Sequence, residues 1–238
     1  MRNIRFIAGQ IYHVYNRGVE KRNIFMADSD RWRFLQGMLL FNNVHSVARL
    51  LWEVERSQGA ATFRTIKEYI KKQPANREPL VNIVADCLMD NHYHLIIEQI
   101  KEDGVSKFMH KLGTGYTLYI NKKYNRSGAL FQGTYKAAHV ESELYLKNLL
   151  VYVNLINPSQ LVEPRLKETG PQDINVLMEF AETYPWSTHL EYLQKRESII
   201  VDKGILGKLF ADPLEYKDFA RGVLLGRKYE ILGRLALE

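Results

Sequence analysis

The spacing of apolar positions changes several times along the chain, and each change marks an element. Ile11-Tyr-His-Val-Tyr-Asn16 alternates and is rich in aromatic and β-branched residues, which predicts a strand closed by Arg17-Gly18. Asp28-Ser29-Asp30 then offers N-caps to a helix in which Trp32, Phe34, Leu35, Met38, Leu39 and Phe41 recur at helical spacing. Such a helix should cover one face of a sheet. Leu80 to Cys87 predicts a second strand. Asp90-Asn91 marks a tight turn, and His92-Tyr-His-Leu-Ile-Ile-Glu98 predicts a third strand, antiparallel to the second. A long helix follows from about Val105 to Tyr124, stopped by Asn125-Arg-Ser-Gly128. Ala129 to Val140 reads as extended chain. Glu141-Ser142-Glu143 opens another helix, with its acids at the positive end of the helix dipole, and Asn157-Pro158 ends it.

That order of elements predicts an α+β fold, a ferredoxin-like antiparallel sheet with helices on its faces and one extra helix. Between about 44 and 80 the pattern is weaker. Val44 to Val54 reads as a strand and Thr62 to Lys72 as a short helix, together an insertion without a motif. Beyond Ser159, polar loops with Pro164, Gly170 and Pro171 give way to amphipathic pieces near Trp186 and from Ile205 to Leu237. The expected organisation is a main domain over 1–160 and a helical extension over 161–238.

Composition narrows the function classes. With 46% hydrophobic residues the chain can bury one sizeable core. It has no run of about 18 apolar residues to span a bilayer. Its N-terminus lacks an apolar signal core, so the expected location is the cytoplasm, away from membranes. The single cysteine, Cys87, sits in an apolar run and reads as a small buried thiol. A net charge of +6 and a pI near 9.2 favour a polyanionic partner. Cations and aromatics are mixed in Asn121-Lys-Lys-Tyr-Asn-Arg-Ser-Gly128 and Phe131-Gln-Gly-Thr-Tyr-Lys136. That mixture suits a surface that neutralises a backbone and stacks bases of a single strand. A solvated loop has the same composition.

His92-Tyr93-His94 is the sharpest chemical feature. Residues two apart in a strand share a face, so both imidazoles project together and can supply two ligands to one metal ion. Tyr145, Asn148 and Tyr152 share a face of the later helix. A phenol beside a metal-bound phosphate is a competent nucleophile, although tyrosines packed on a sheet are common and the chain has 14.

Four pieces occur in a fixed order: Tyr12-His-Val-Tyr-Asn-Arg-Gly18, Asp90-Asn-His-Tyr-His-Leu95, Gly128-Ala-Leu-Phe-Gln-Gly-Thr-Tyr-Lys136 and Tyr152-Val-Asn-Leu-Ile-Asn-Pro158. So arranged, the chain resembles the IS200-like transposases. These are single-tyrosine members of the HUH nucleases and include the transposases associated with repetitive extragenic palindromes. Trp186-Ser187 and Tyr192-Leu193 are similar to the C-terminal part of the longer members. The resemblance implies a transposase that cuts and rejoins single-stranded DNA, with hairpins formed by palindromes as substrate. It implies a divalent ion, Mg²⁺ or Mn²⁺, on His92, His94 and a helix amide, and Tyr152 as nucleophile forming a 5′-phosphotyrosine. It also implies either a monomer or a homodimer that shares active sites. Arg17, Lys122, Lys123, Arg126 and Lys136 are the candidate phosphate contacts.

The family places its amide four residues after the tyrosine. Here that position is Ile156, and Asn157 is the fifth. Five residues rotate about 140° beyond one α-helical turn, against about 40° for four. In a straight helix Asn157 would miss the metal. A π-bulge or an unwound last turn would bring it back; otherwise the third ligand is missing, or Val153 stands at the tyrosine position. Tyr145 is the alternative nucleophile, ahead of Tyr116 and Tyr119. The competing reading is a domesticated, inactive hairpin-binding protein. A small-substrate metallohydrolase is weaker, since no further ligand cluster completes a zinc site.

Overall fold

The computed structural model describes residues 4–45, 56, 62, 64–66, 68 and 77–226. Strand β1 (Ile11–Arg17) leads to helix α1 (Asp28–Phe41), and β2 (Val81–Met89) forms a hairpin with β3 (His92–Gln99). Helix α2 (Gly104–Lys123) returns the chain to β4 (Lys136–His139). The four strands pair antiparallel in the order β2-β3-β1-β4, which is the ferredoxin-like arrangement read from the sequence. Only the end of the stretch Ala129–Val140 joins the sheet. The proposed strand over 44–54 lies largely outside the described residues. Of the short helix from Thr62, Arg64, Thr65, Ile66 and Glu68 are helical.

One face of the sheet carries α1 and α2. Tyr93 of β3 packs there on Phe34, with ring centroids 5.0 Å apart, and Tyr116 of α2 meets the same phenylalanine. The two helices approach closely at Gly115, where an added Cβ would lie 2.7 Å from the Phe41 ring. Trp32 differs from expectation: it is 48% exposed, and meets Trp186 instead of the core under α1.

Helix α3 (Glu143–Val151) crosses the opposite face and begins at Ser142, whose hydroxyl accepts the Tyr145 N–H at 3.2 Å. It ends one residue past Asn157-Pro158, at Ser159. It passes through a π turn (Tyr152–Ile156) into a last α segment (Asn157–Ser159), whose first turn needs no N–H from Pro158. The expected helical extension follows as α4 (Leu166–Thr169), α5 (Ile174–Thr183), α6 (His189–Tyr192), α7 (Gly204–Leu209) and α8 (Pro213–Leu224). Its Leu166, Leu177, Tyr192 and Tyr216 belong to the same buried cluster as the sheet residues. The segment also protects the edge strand. Leu88 N–H donates to the Trp186 carbonyl at 2.8 Å, Thr188 N–H to Asp86 at 3.1 Å and Asp202 N–H to Ile83 at 2.9 Å.

The start of α1 is fixed by Asp30, acting as an acceptor from within the first turn. Its carboxylate receives the Met26 and Ala27 N–H groups, both at 3.0 Å, while Lys123 and Tyr124 of the α2 end bind the same fully buried group at 2.6 and 2.7 Å. Burial pushes this carboxyl up, but the bonds from Lys123, Tyr124 and the backbone outweigh it and hold it below its ordinary value. Asp30→Asn should therefore cost about 2–3 kcal/mol in urea unfolding, because a neutral amide replaces the charged acceptor of these donors, although Lys123 keeps its bond to Ser29. The folded carboxyl titrates below the unfolded one. Its contribution is thus complete above the ordinary value of 3.8 and is lost as pH falls through the lowered one. The variant should lack that part of the acid dependence.

Candidate metal and nucleophile site

Strand alternation puts Tyr93 under α1 and turns His92 and His94 to the other face, beneath α3. The hairpin tip that carries them is pinned by the chain after β1: Gly18 N–H donates to the Asn91 carbonyl, and Ile24 and Phe25 N–H to that of Asp90. His94 is fully buried and His92 is half-buried. In register, Tyr15 lies directly opposite His94, their rings 5.6 Å apart. His13, two residues back on the same face, places its Nε2 2.8 Å from His94 Nδ1. Asn91 Oδ1 lies 2.6 Å from His92 Nδ1. In both imidazoles the Nδ1 side is held by a protein partner, which fixes the ring and turns Nε2 outward from that partner.

The π turn decides where the helix residues point. Asn157 N–H bonds to the Tyr152 carbonyl, so the turn closes over five residues and stacks Asn157 on Tyr152. Both are buried, Tyr152 at 1% exposure and Asn157 at zero. The Tyr152 ring stands edge-on to His94 at 5.6 Å and to His13 at 6.2 Å between centroids. Asn157 Oδ1 accepts from Gln160 Nε2 at 3.2 Å, while its Nδ2 has no partner among the described residues. Val153 is buried in the core. From α4, Lys167 Nζ reaches the Tyr152 hydroxyl at 2.9 Å and lies 4.7 Å from the ring centroid.

Beside His92 is a cleft of about 130 Å³ lined by Tyr15, Asn16, Arg17, Gln132 and Lys136. It brings together His92 and two of the five candidate phosphate contacts. Arg17 Nε is held by Gln132 Oε1 at 2.5 Å, and Lys136 Nζ lies 5.7 Å from the Tyr15 ring centroid. Lys122, Lys123 and Arg126 do not line this cleft. Lys123 is bound to Asp30; Lys122 is exposed on the last turn of α2 and Arg126 is half-buried just beyond it.

The other tyrosines have separate roles. Tyr116 donates to the Ile24 carbonyl at 2.7 Å, and burial pushes its phenol far up. Tyr119 donates to Asp30 at 3.2 Å. Tyr145 is half-buried, and burial raises its phenol, as do Glu141 and Tyr15 to a smaller extent. Cys87 is buried as read from the sequence, with its thiol pushed up by burial and then by Asp86.

His13 and Lys167 were not singled out by sequence reasoning. His13 shares the alternating face of β1 with Tyr15, but its partner is 81 residues away and only the strand register joins them. Lys167 lies in a polar stretch with no periodicity or motif to mark it.

A search of curated proteins finds no match to this chain. A solved structure of a REP-associated tyrosine transposase bound to a REP hairpin aligns with 11% identity over 85% of this chain and 93% of that one, at a TM-score of 0.47. The family described as "Transposase IS200 like" matches residues 74–155. The family match thus covers the segment that holds His92, His94 and Tyr152 and stops short of Asn157, and over these residues the chain is similar to IS200-like transposases.

Proposed function

We propose that this chain is a metal-assisted strand transferase for single-stranded DNA, with Tyr152 as nucleophile and His92, His94 and Asn157 as the ligand set. The observation that carries the reading is the contact between Tyr152 and His94, made within one chain across some sixty residues. The donor set fits an open metal site. Among the described residues no group of three or more His, Cys, Asp or Glu side chains is arranged to hold an ion. Two imidazoles and one amide leave coordination positions for phosphate and water oxygens. The orphaned end of the buried Asn157 amide supports its place in the set, since the two ends of an amide exchange by rotation.

A bound Mg²⁺ or Mn²⁺ would stabilise charge on the oxygens of the scissile phosphate. Tyr152 Oη gives up its proton and forms the bond to phosphorus. The bond from phosphorus to the 3′ oxygen breaks, and that oxygen takes a proton and leaves as a hydroxyl. The 5′-phosphotyrosine keeps the energy of the linkage, so another 3′-hydroxyl reverses the step without ATP. Lys167 stabilises negative charge on the phenol oxygen. His13 and Asn91 hold the imidazoles in orientation. Arg17 and Lys136 neutralise the backbone entering the cleft, and Lys122 and Arg126 extend the basic surface. The catalytic unit is assigned to 1–160, with hairpin-forming palindromes as substrate, and both halves of the site come from a single copy.

A second reading is a protein that binds hairpins without cutting them. The burial of Tyr152 beneath Lys167 favours it, because a strand must displace that cover to reach the hydroxyl. Labelled single-stranded hairpins incubated with Mn²⁺ and analysed under denaturing conditions separate the two. A covalent adduct should form and disappear in Tyr152→Phe; hairpin binding without an adduct would establish the second reading. An adduct lost in Tyr145→Phe but kept in Tyr152→Phe would move the nucleophile. Calorimetric Mn²⁺ binding should fall at least tenfold in His92→Ala and in His94→Ala. The two differ in stability: His94→Ala removes the bond between two buried imidazoles and should cost about 1–3 kcal/mol in urea unfolding, and half-exposed His92→Ala less than about 1.

A further inference from the structure

A cavity of about 330 Å³ lies between α1 and the segment that covers the edge of β2, separate from the histidine cleft. Two indoles form a corner of it. Trp32 and Trp186 meet at 5.1 Å between centroids with their planes 72° apart, and Trp32 keeps 48% of its surface exposed. The cavity is also lined by Asp86, which is 5% exposed and whose carboxylate has no hydrogen-bond partner among the described residues; only its backbone is engaged, by Thr188. A buried carboxylate left so is expensive unless something supplies donors or positive charge.

The neighbouring charges do not meet that need. Glu191 and Arg196 also line the cavity, but they satisfy one another through two bonds of 2.6 and 2.7 Å. The guanidinium is spent further on the Pro185 and Ser187 carbonyls. With that pair neutral, the uncompensated buried charge is the negative one of Asp86. Indole faces attract cations, and Arg31 of α1 already lies 5.4 Å from the Trp186 ring centroid without lining the cavity.

We propose that this cavity is a binding site for a guanidinium cation on an alkyl stem, stacked on Trp32 and Trp186 and donating its N–H groups to Asp86. A planar, weakly hydrated cation with several donors suits both an aromatic wall and a lone carboxylate, and the apolar Leu35 and Ile200 suit its stem. A nucleotide suits the site less well. Its phosphates would meet Asp86, Glu191 and Glu197 against Arg64 and Arg196.

Ionisation gives the site a pH signature. Burial first, then the Glu191 charge, with Arg196 opposing, pushes the Asp86 carboxyl up to about 7. The charged groups around it are Glu191, Arg196 and Glu197 from the covering segment and Arg64 from the described residues between α1 and β2. The cation requires ionised Asp86, so affinity should rise about tenfold between pH 6 and pH 8.

The test follows the indole N–H signals of the full chain by NMR during titration with butylguanidinium, and with butylurea as its neutral isostere. Butylguanidinium should shift the Trp32 and Trp186 signals saturably, and butylurea should not. Asp86→Asn should weaken binding at least tenfold and flatten its pH dependence. Trp32→Leu, a surface change that spares the fold, should weaken it as well. An acetylated Gly-Arg-Gly amide that binds more tightly than butylguanidinium identifies an arginine side chain of a protein as the natural source; equal or weaker binding identifies a free cation. Equal shifts with butylurea, unchanged affinity in Asp86→Asn, or tighter binding of cytidine than of butylguanidinium would overturn the proposal. None of these measurements involves DNA cleavage, so they stand whether or not Tyr152 is a nucleophile.

Discussion

Two imidazoles on one sheet face, one fully buried and one half-buried, constrain everything placed against them. A β-strand can turn His92 and His94 to one side only by turning Tyr93 to the other, and the two faces then need different covers. Phe34 and Tyr116 suit Tyr93, whereas the histidine face needs polar groups as well as bulk. His13, Tyr15, Asn91, Tyr152 and Lys167 supply them, drawn from one strand, a turn and two helices. The ferredoxin-like order of strands makes this assembly available, since it sets β1 beside β3 and leaves one face of the sheet to α3.

The parts of the molecule legible in sequence are those governed by local period. Alternation located β1, β2 and β3 to within a residue or two, and helical spacing located α1 and α2. The pairing of His92 with His94 follows from the same alternation. What was not legible depends on contacts between distant segments. Asp28-Ser29-Asp30 reads as a choice of N-caps, yet Asp30 acts from inside the first turn because Lys123 and Tyr124 of α2 hold it there. Trp32 fits the helical stripe of α1, yet it faces Trp186, a partner that no period can reveal.

The C-terminal segment illustrates how one stretch can serve several needs. Its backbone occupies hydrogen-bonding positions along β2 that would otherwise remain an open edge. Its helices enter the core shared with the sheet, and α4 delivers Lys167 to the phenol of Tyr152. Residues that stabilise the fold therefore lie a few positions from residues that shape the site.

The π turn gives motif spacing a different meaning. What an active centre selects is the direction in which a side chain leaves its helix, and the number of intervening residues is only a proxy for that angle. One additional residue, absorbed locally by a wider turn, leaves the direction nearly unchanged while altering the count. A pattern written as a fixed interval would count Asn157 as displaced by one position, although the wider turn stacks it on Tyr152.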